Sequence, residues 1–174
     1  MSITCQIWFN TSLENYLTEV RRSAANKGLC SSQQGECRPH ITLGHWNFDS
    51  PDEQAKSIEE LSNLRSFPIS FEGVGQFVGE LGSAFLLPGV TQKLSDTYRD
   101  MHAQLGKSGK SDDPYYTPEK WTPHCMMAFQ VTRNQLLEVT EFLLSLPLPL
   151  MGTAEFIAII DKDDGTVLSK ISLL

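Results

Sequence analysis

The chain has few cysteines, few cations and no long apolar run, and each shortage removes a class of function. The four cysteines, Cys5, Cys30, Cys37 and Cys125, form no Cys-x-x-Cys pair. A zinc ribbon or a thioredoxin-type redox pair needs that spacing, so no structural metal is expected. Cys30 and Cys37 flank a Ser/Gln/Gly loop and could bridge; reduced thiols are the simpler expectation. Lys and Arg number 14 against 21 Asp and Glu, leaving a net charge of −7. Wrapping a long nucleic acid takes many cations on phosphates, so that class is excluded, whereas contact with one phosphate is not. No run reaches the length of a membrane span. Met1–Phe9 lacks a basic n-region and alternates at once, so no signal peptide and a cytoplasmic location are expected.

What is present is a regular alternation of strand and helix patterns. Ile3, Cys5, Ile7 and Phe9 alternate with polar residues as a half-buried strand does. Asn10, Thr11 or Ser12 then starts a helix with Leu13, Tyr16, Leu17 and Val20 on one side, ended by Gly28. Residues 29–37 are loop and 38–48 a strand. Pro51-Asp52-Glu53 opens a second helix with acids in its first turn. Strands are expected over 67–78 and 83–87, a helix over 90–105, a long mobile loop over 106–120, and a strand over 121–131. A helix over 133–145 and two strands, 150–161 and 166–174, complete the order. The two halves run alike, which favours an α+β fold of one domain, 1–174, with two intertwined lobes. In that fold two antiparallel sheets meet around a central groove at a pseudo-twofold axis, with helices outside.

Each half carries a proline followed by histidine, in Pro39-His40-Ile41-Thr42 and Pro123-His124-Cys125-Met126. Proline suits the first residue of a strand, because it donates nothing to the ladder. Period two then puts His40, Thr42 and Trp46 on one face, and His124 with Met126 on another such face. If the strands lie side by side, two imidazoles enter one groove, where they can do acid–base chemistry without a metal. His45 falls opposite His40 and should pack away from the groove.

Pro39-His40-Ile41-Thr42-Leu43 resembles the His-x-Thr-x motif of the two-histidine (2H) phosphoesterase superfamily, which includes 2′-5′ RNA ligase-like proteins and 2′,3′-cyclic phosphodiesterases. Pro123-His124-Cys125-Met126-Met127 stands where the second motif belongs. The likeness extends over nearly the whole chain in length, element order and motif separation. It implies a hydrolase of RNA processing that opens a 2′,3′-cyclic phosphate, or a related small cyclic phosphate or RNA end, with His40 and His124 as acid and base and no cofactor. The partners it implies are a small cyclic nucleotide or an RNA terminus, with no membrane, and a monomer.

One departure is plain. The second motif's hydroxyl position holds Met126, and a thioether donates no hydrogen bond. Loss of one oxyanion donor costs roughly a hundredfold or more in other enzymes. The chain is then active through a substitute donor such as Thr122 or Arg38, or slow, or a binder of nucleotides or RNA ends; activity is the favoured reading. Thr42 and Arg38 are candidates to hold phosphate. Trp8, Trp46, Tyr115 and Tyr116 are candidates to stack on a base, the two tyrosines because nothing in their loop suggests a core. Lys107, Lys110 and Lys120 lie in the same loop, where solvation is their simplest role.

Overall fold

A computed structural model describes residues 1–31, 38–61, 64–111 and 113–173. Among the described residues seven strands and four helices follow the expected order: β1 (Ser2–Phe9), α1 (Thr11–Asn26), β2 (Ile41–Asn47), α2 (Pro51–Glu59), β3 (Phe67–Phe77), β4 (Gly82–Pro88), α3 (Gln92–Leu105), β5 (Cys125–Val131), α4 (Arg133–Leu144), β6 (Leu150–Asp161) and β7 (Val167–Ser172). Cys37 and most of the loop before Arg38 lie outside the described residues, and so does the question of its pairing with Cys30. No described helix is long and apolar enough to cross a membrane.

The helices start where their capping chemistry allows. Ser50 Oγ accepts from the Glu53 amide, with Pro51 in the first turn. Thr91 Oγ1 accepts from the Leu94 amide, and Thr132 with Gln135 forms a reciprocal capping box. Asn10 precedes α1 but makes no cap bond. Its Oδ1 instead accepts from the Thr153 amide at 2.9 Å, tying the start of α1 to β6.

The sheet is antiparallel throughout, in the order β1-β2-β5-β4-β3-β6-β7, with β1 also paired to β6. The twelve-residue β6 makes this possible. Its first part, Leu150–Ala154, pairs with β3, and Ala154–Asp161 pairs with β1. One long strand thereby joins into one sheet what the sequence suggested as two. Between β2 and β5 the ladder narrows to a single pair, Ile41 with Cys125. Residues 121–124 stay outside the strand that the sequence pattern had begun at Trp121. Pro123 has no amide to donate, so pairing begins just past it.

The buried side chains form one continuous cluster that includes Ile3, Cys5, Ile7 and Phe9 of β1, Leu13 and Leu17 of α1, Trp46 of β2 and Leu94 and Met101 of α3. The alternation of β1 is borne out by the burial of its apolar face.

In β2 the alternation breaks. Gln6 pairs with Thr42, but the next residue back, Cys5, pairs with Gly44. Leu43 is therefore extra, a β-bulge that turns the rest of the strand over. Beyond it Gly44 and Trp46 face the core with Cys5 and Ile3, while His45 faces the same side as Thr4. Gly44 is required at the bulge: a Cβ there would lie 2.7 Å from the Trp46 ring, itself only 1% exposed and packed on His102. A ring held in the core cannot yield, so Gly44→Ala is expected to destabilise the fold by about 1–3 kcal/mol. A urea titration checks this; an unchanged midpoint would show that the bulge relaxes without cost.

Candidate active site

His40 and His124 are the residues immediately before β2 and β5, and those strands meet only at the next residue of each, Ile41 and Cys125. Both members of that pair are fully buried. In an antiparallel register, one step outwards sets His40 across from Met126 and Thr42 across from His124. The four motif side chains thus lie around one rung, on the face opposite Ile41 and Cys125.

The two imidazoles are held in the same way. His40 Nδ1 lies 2.8 Å from the Arg38 carbonyl, and His124 Nδ1 lies 2.7 Å from the Thr122 carbonyl. A carbonyl only accepts, so each Nδ1 carries the proton and donates, and each Nε2 keeps its lone pair. Burial holds His40 down to about 4; the Arg38 carbonyl opposes this, and the charges of Arg21 and His124 reinforce it. His124 is also lowered by burial, against the Thr122 carbonyl. Phe77 and Phe85 supply the apolar wall there, with ring centroids 5.2 and 5.0 Å from the His124 ring. The pairing of Ile41 with Cys125 brings the two halves together at one place.

The family model of the 2′-5′ RNA ligase superfamily matches residues 9–166, which include both histidines. The chain belongs to that superfamily. Its members are 2H phosphoesterases, and the resemblance seen in the two motifs is thereby borne out. Among curated protein sequences none matches. Among solved structures, Escherichia coli LigT complexed with 3′-AMP is similar at TM-score 0.65 and 11% identity, over 98% of this chain and 97% of that one. TT0787 of Thermus thermophilus has TM-score 0.65 and 16% identity over 99% and 98%. Usb1 of Kluyveromyces marxianus has TM-score 0.59 and 13% identity, also over 99% and 98%. At these identities the structures establish the α+β fold with its large antiparallel sheet.

A cavity of about 580 Å³ opens beside His124, within the range of small-molecule sites. Met126, Thr122, Tyr115, Tyr116 and Lys120 line it, and Ser83 and Phe129 stand farther along β4 and β5. Of the expected residues His40, Thr42 and Arg38 do not line this space. Tyr116 links the two sides, since it lines the cavity and its hydroxyl feels the Thr42 side chain, which opposes the effect of burial on its pKa.

The loop that carries the tyrosines is fastened, not loose as its composition suggested. Lys110 exchanges two backbone hydrogen bonds with Asn47, each 2.9 Å. Tyr98 donates its hydroxyl to the Tyr116 carbonyl at 2.7 Å. Trp121 stacks on Tyr98 at 3.9 Å and donates Nε1 to the Thr42 carbonyl at 3.0 Å. Tyr115, 76% exposed, remains open at the cavity mouth.

Three expectations need correction. Trp46 is not on the His40 face, because the bulge at Leu43 turns it into the core. The same bulge brings His45 to the Thr42 side, where its ring meets Tyr116 edge-on at 4.9 Å and Nδ1 lies 2.9 Å from Thr4 Oγ1. Trp8 keeps the expected face but is roofed: the Arg38 guanidinium covers its ring at 3.7 Å and leaves it 5% exposed. Arg38 also pairs with Glu14 at 2.5 Å, so its fork is already engaged.

Arg21 escaped the sequence reading. It is 3% exposed, donates to the Met126 carbonyl, and sets its charge near Cys125 and His40. The signal was present, for Arg21 falls four residues after Leu17 and eight after Leu13 on the buried stripe of α1. Phe85 was missed because its place depends on Gly75 across the ladder, where a Cβ would collide with the ring.

The lowered histidine has a consequence for stability. Between about pH 6.5 and about pH 4 the unfolded chain takes up a proton that folded His40 refuses, so stability is lost as pH falls through that window. In His40→Gln the decline in the urea midpoint over this range should be shallower than in the natural protein. Equal slopes would mean that His40 is not held neutral by the fold.

Proposed function

We propose that the protein is a metal-independent phosphodiesterase that opens a 2′,3′-cyclic phosphate, or a related small cyclic phosphate or RNA end. The observation that carries this reading is the matched tethering of His40 and His124, each Nδ1 donating to the carbonyl two residues back. Two imidazoles set beside one rung, each keeping its Nε2 lone pair, suit a reaction with one base and one acid. Among the described residues no three His, Cys, Asp or Glu gather as metal ligands. The 3′-AMP in the LigT structure is in keeping with a nucleotide-sized ligand.

In the proposed reaction a phosphate spans the rung formed by Ile41 and Cys125. His40 Nε2 takes a proton from the attacking water as its oxygen bonds to phosphorus. The bond to one ribose oxygen breaks, and His124 Nε2 gives that oxygen its proton. The product is a monoester, and an RNA hydroxyl attacking in place of water would make the same step a ligation. His40 is assigned the base because Arg21 disfavours its protonated form in addition to burial. His124 feels burial without a named cation, and a bound phosphate anion raises its affinity for the proton. Thr42 donates to a non-bridging oxygen, Lys120 and Thr122 border the phosphate end of the cavity, and Tyr115 offers a face to the base. The chain works as one unit over 1–174.

Met126 supports a second reading, a nucleotide- or RNA-end binder of the same fold, because no hydroxyl stands at that position. Turnover separates the two. His40→Ala and His124→Ala should each lower kcat on a 2′,3′-cyclic nucleotide by roughly 10²–10⁴-fold, and EDTA should change nothing. Tight nucleotide binding with no turnover on any cyclic phosphate would leave only the binder.

The pH profile tests the roles. With base and acid both lowered, kcat/KM should peak on the acid side of neutrality. Its acid limb should fall near pH 4, and its alkaline limb below the ordinary histidine value of about 6.5. A plateau running past pH 8 would rule out His124 as the acid.

A further inference from the structure

We propose that the Tyr116 hydroxyl is the second phosphate donor of the site, making good the donor that Met126 cannot supply. This rests on the phosphodiesterase reading above and adds a named group to it.

The position of Tyr116 is fixed from several sides. Its carbonyl receives the Tyr98 hydroxyl at 2.7 Å, its amide donates to the Asp113 carbonyl at 3.2 Å, and its ring meets His45 at 4.9 Å. Tyr116 lines the cavity together with His124 and Met126, and its hydroxyl is near enough to feel Thr42, the hydroxyl of the first motif. Burial raises its pKa, so the phenol stays protonated and is able to donate. Each of these two neighbouring hydroxyls carries one hydrogen to donate. A phosphate is the stronger acceptor, so both can turn to it and donate to separate oxygens. The number of donors is thus restored from the Thr42 side of the groove, although the place differs from that of residue 126.

Other hydroxyls and cations fit less well. Ser83 lines the same cavity, but Phe85 is the residue across from Met126. Ser83 stands two residues farther along β4, roughly 7 Å on at strand spacing, away from His124. Arg38 is engaged by Glu14 and by the face of Trp8. Thr122 borders the cavity but is exposed and lies before Pro123, outside β5, so no ladder bond fixes it.

The test is a double-mutant cycle on a 2′,3′-cyclic nucleotide, with Tyr116→Phe, Met126→Thr and the pair. Tyr116→Phe keeps the ring against His45 and the backbone anchors, and a melting curve checks that it folds. We expect Tyr116→Phe alone to lower kcat about 10–100-fold, the range for one oxyanion donor and somewhat below. In the Met126→Thr background the same change should cost less than about threefold, because the hydroxyl is supplied there. Thr122→Val serves as the rival arm. A Tyr116→Phe enzyme within threefold of the parent would overturn the proposal, as would a loss confined to Thr122→Val. An equal loss in both backgrounds would also overturn it, reducing Tyr116 to a prop for Thr42. If the parent turns over no cyclic phosphate, the phosphodiesterase reading fails by itself. Binding of nucleoside 2′- and 3′-monophosphates then decides the donor: a tenfold weaker Kd in Tyr116→Phe supports it, and equal binding overturns it.

Discussion

The single pair of Ile41 with Cys125 is the constraint on which the rest of the molecule depends. It is the one rung between β2 and β5. Each of those strands opens directly after a proline–histidine dipeptide, so the rung brings the two motifs together. The other strands hold the rung in place. β6 closes the circuit from β3 to β1, and β4 carries β5. A sheet with few rungs at this point leaves backbone groups in need of partners, and Arg21 meets one such need by donating to the Met126 carbonyl. A charge brought in from α1 for that purpose also lies near His40 and weakens its hold on a proton. Structural satisfaction and the tuning of the imidazole therefore come from one side chain.

The site is also a product of the bulge in β2. One extra residue, Leu43, lets Trp46 fill the core while His45 supports the ring of Tyr116. Without it, strict alternation would put the indole in the groove and the imidazole in the core. Gly44 makes the bulge compatible with close packing against Trp46 and His102. The loop between α3 and β5 is then clamped over the groove through Lys110, Tyr116 and Trp121. Its polar, proline- and glycine-bearing composition suggested freedom. What fastens it are long-range contacts to Asn47, Tyr98 and Thr42, which composition does not encode.

Much of the fold was legible because its signals are local. The alternating residues of β1, the proline and acids that open α2, and the prolines before both histidines each act within a few residues. The family resemblance was legible for the same reason, since both of its motifs are short and uninterrupted. Trp46, His45 and Trp8 were misjudged where the answer depended on something distant: a register shift against β1, or a guanidinium arriving from the segment before β2.

By itself the sequence determined the order of strands and helices, the places of His40 and His124 at strand starts, and the absence of a hydroxyl at residue 126. Those follow from local backbone preferences and residue chemistry. Only the tertiary structure decided that Thr42 lies across from His124, that Arg21 sits beneath Met126, and that Tyr116 reaches Thr42. Each of these depends on the register of one rung and on contacts between residues far apart in the chain. No periodicity within a single segment specifies such contacts.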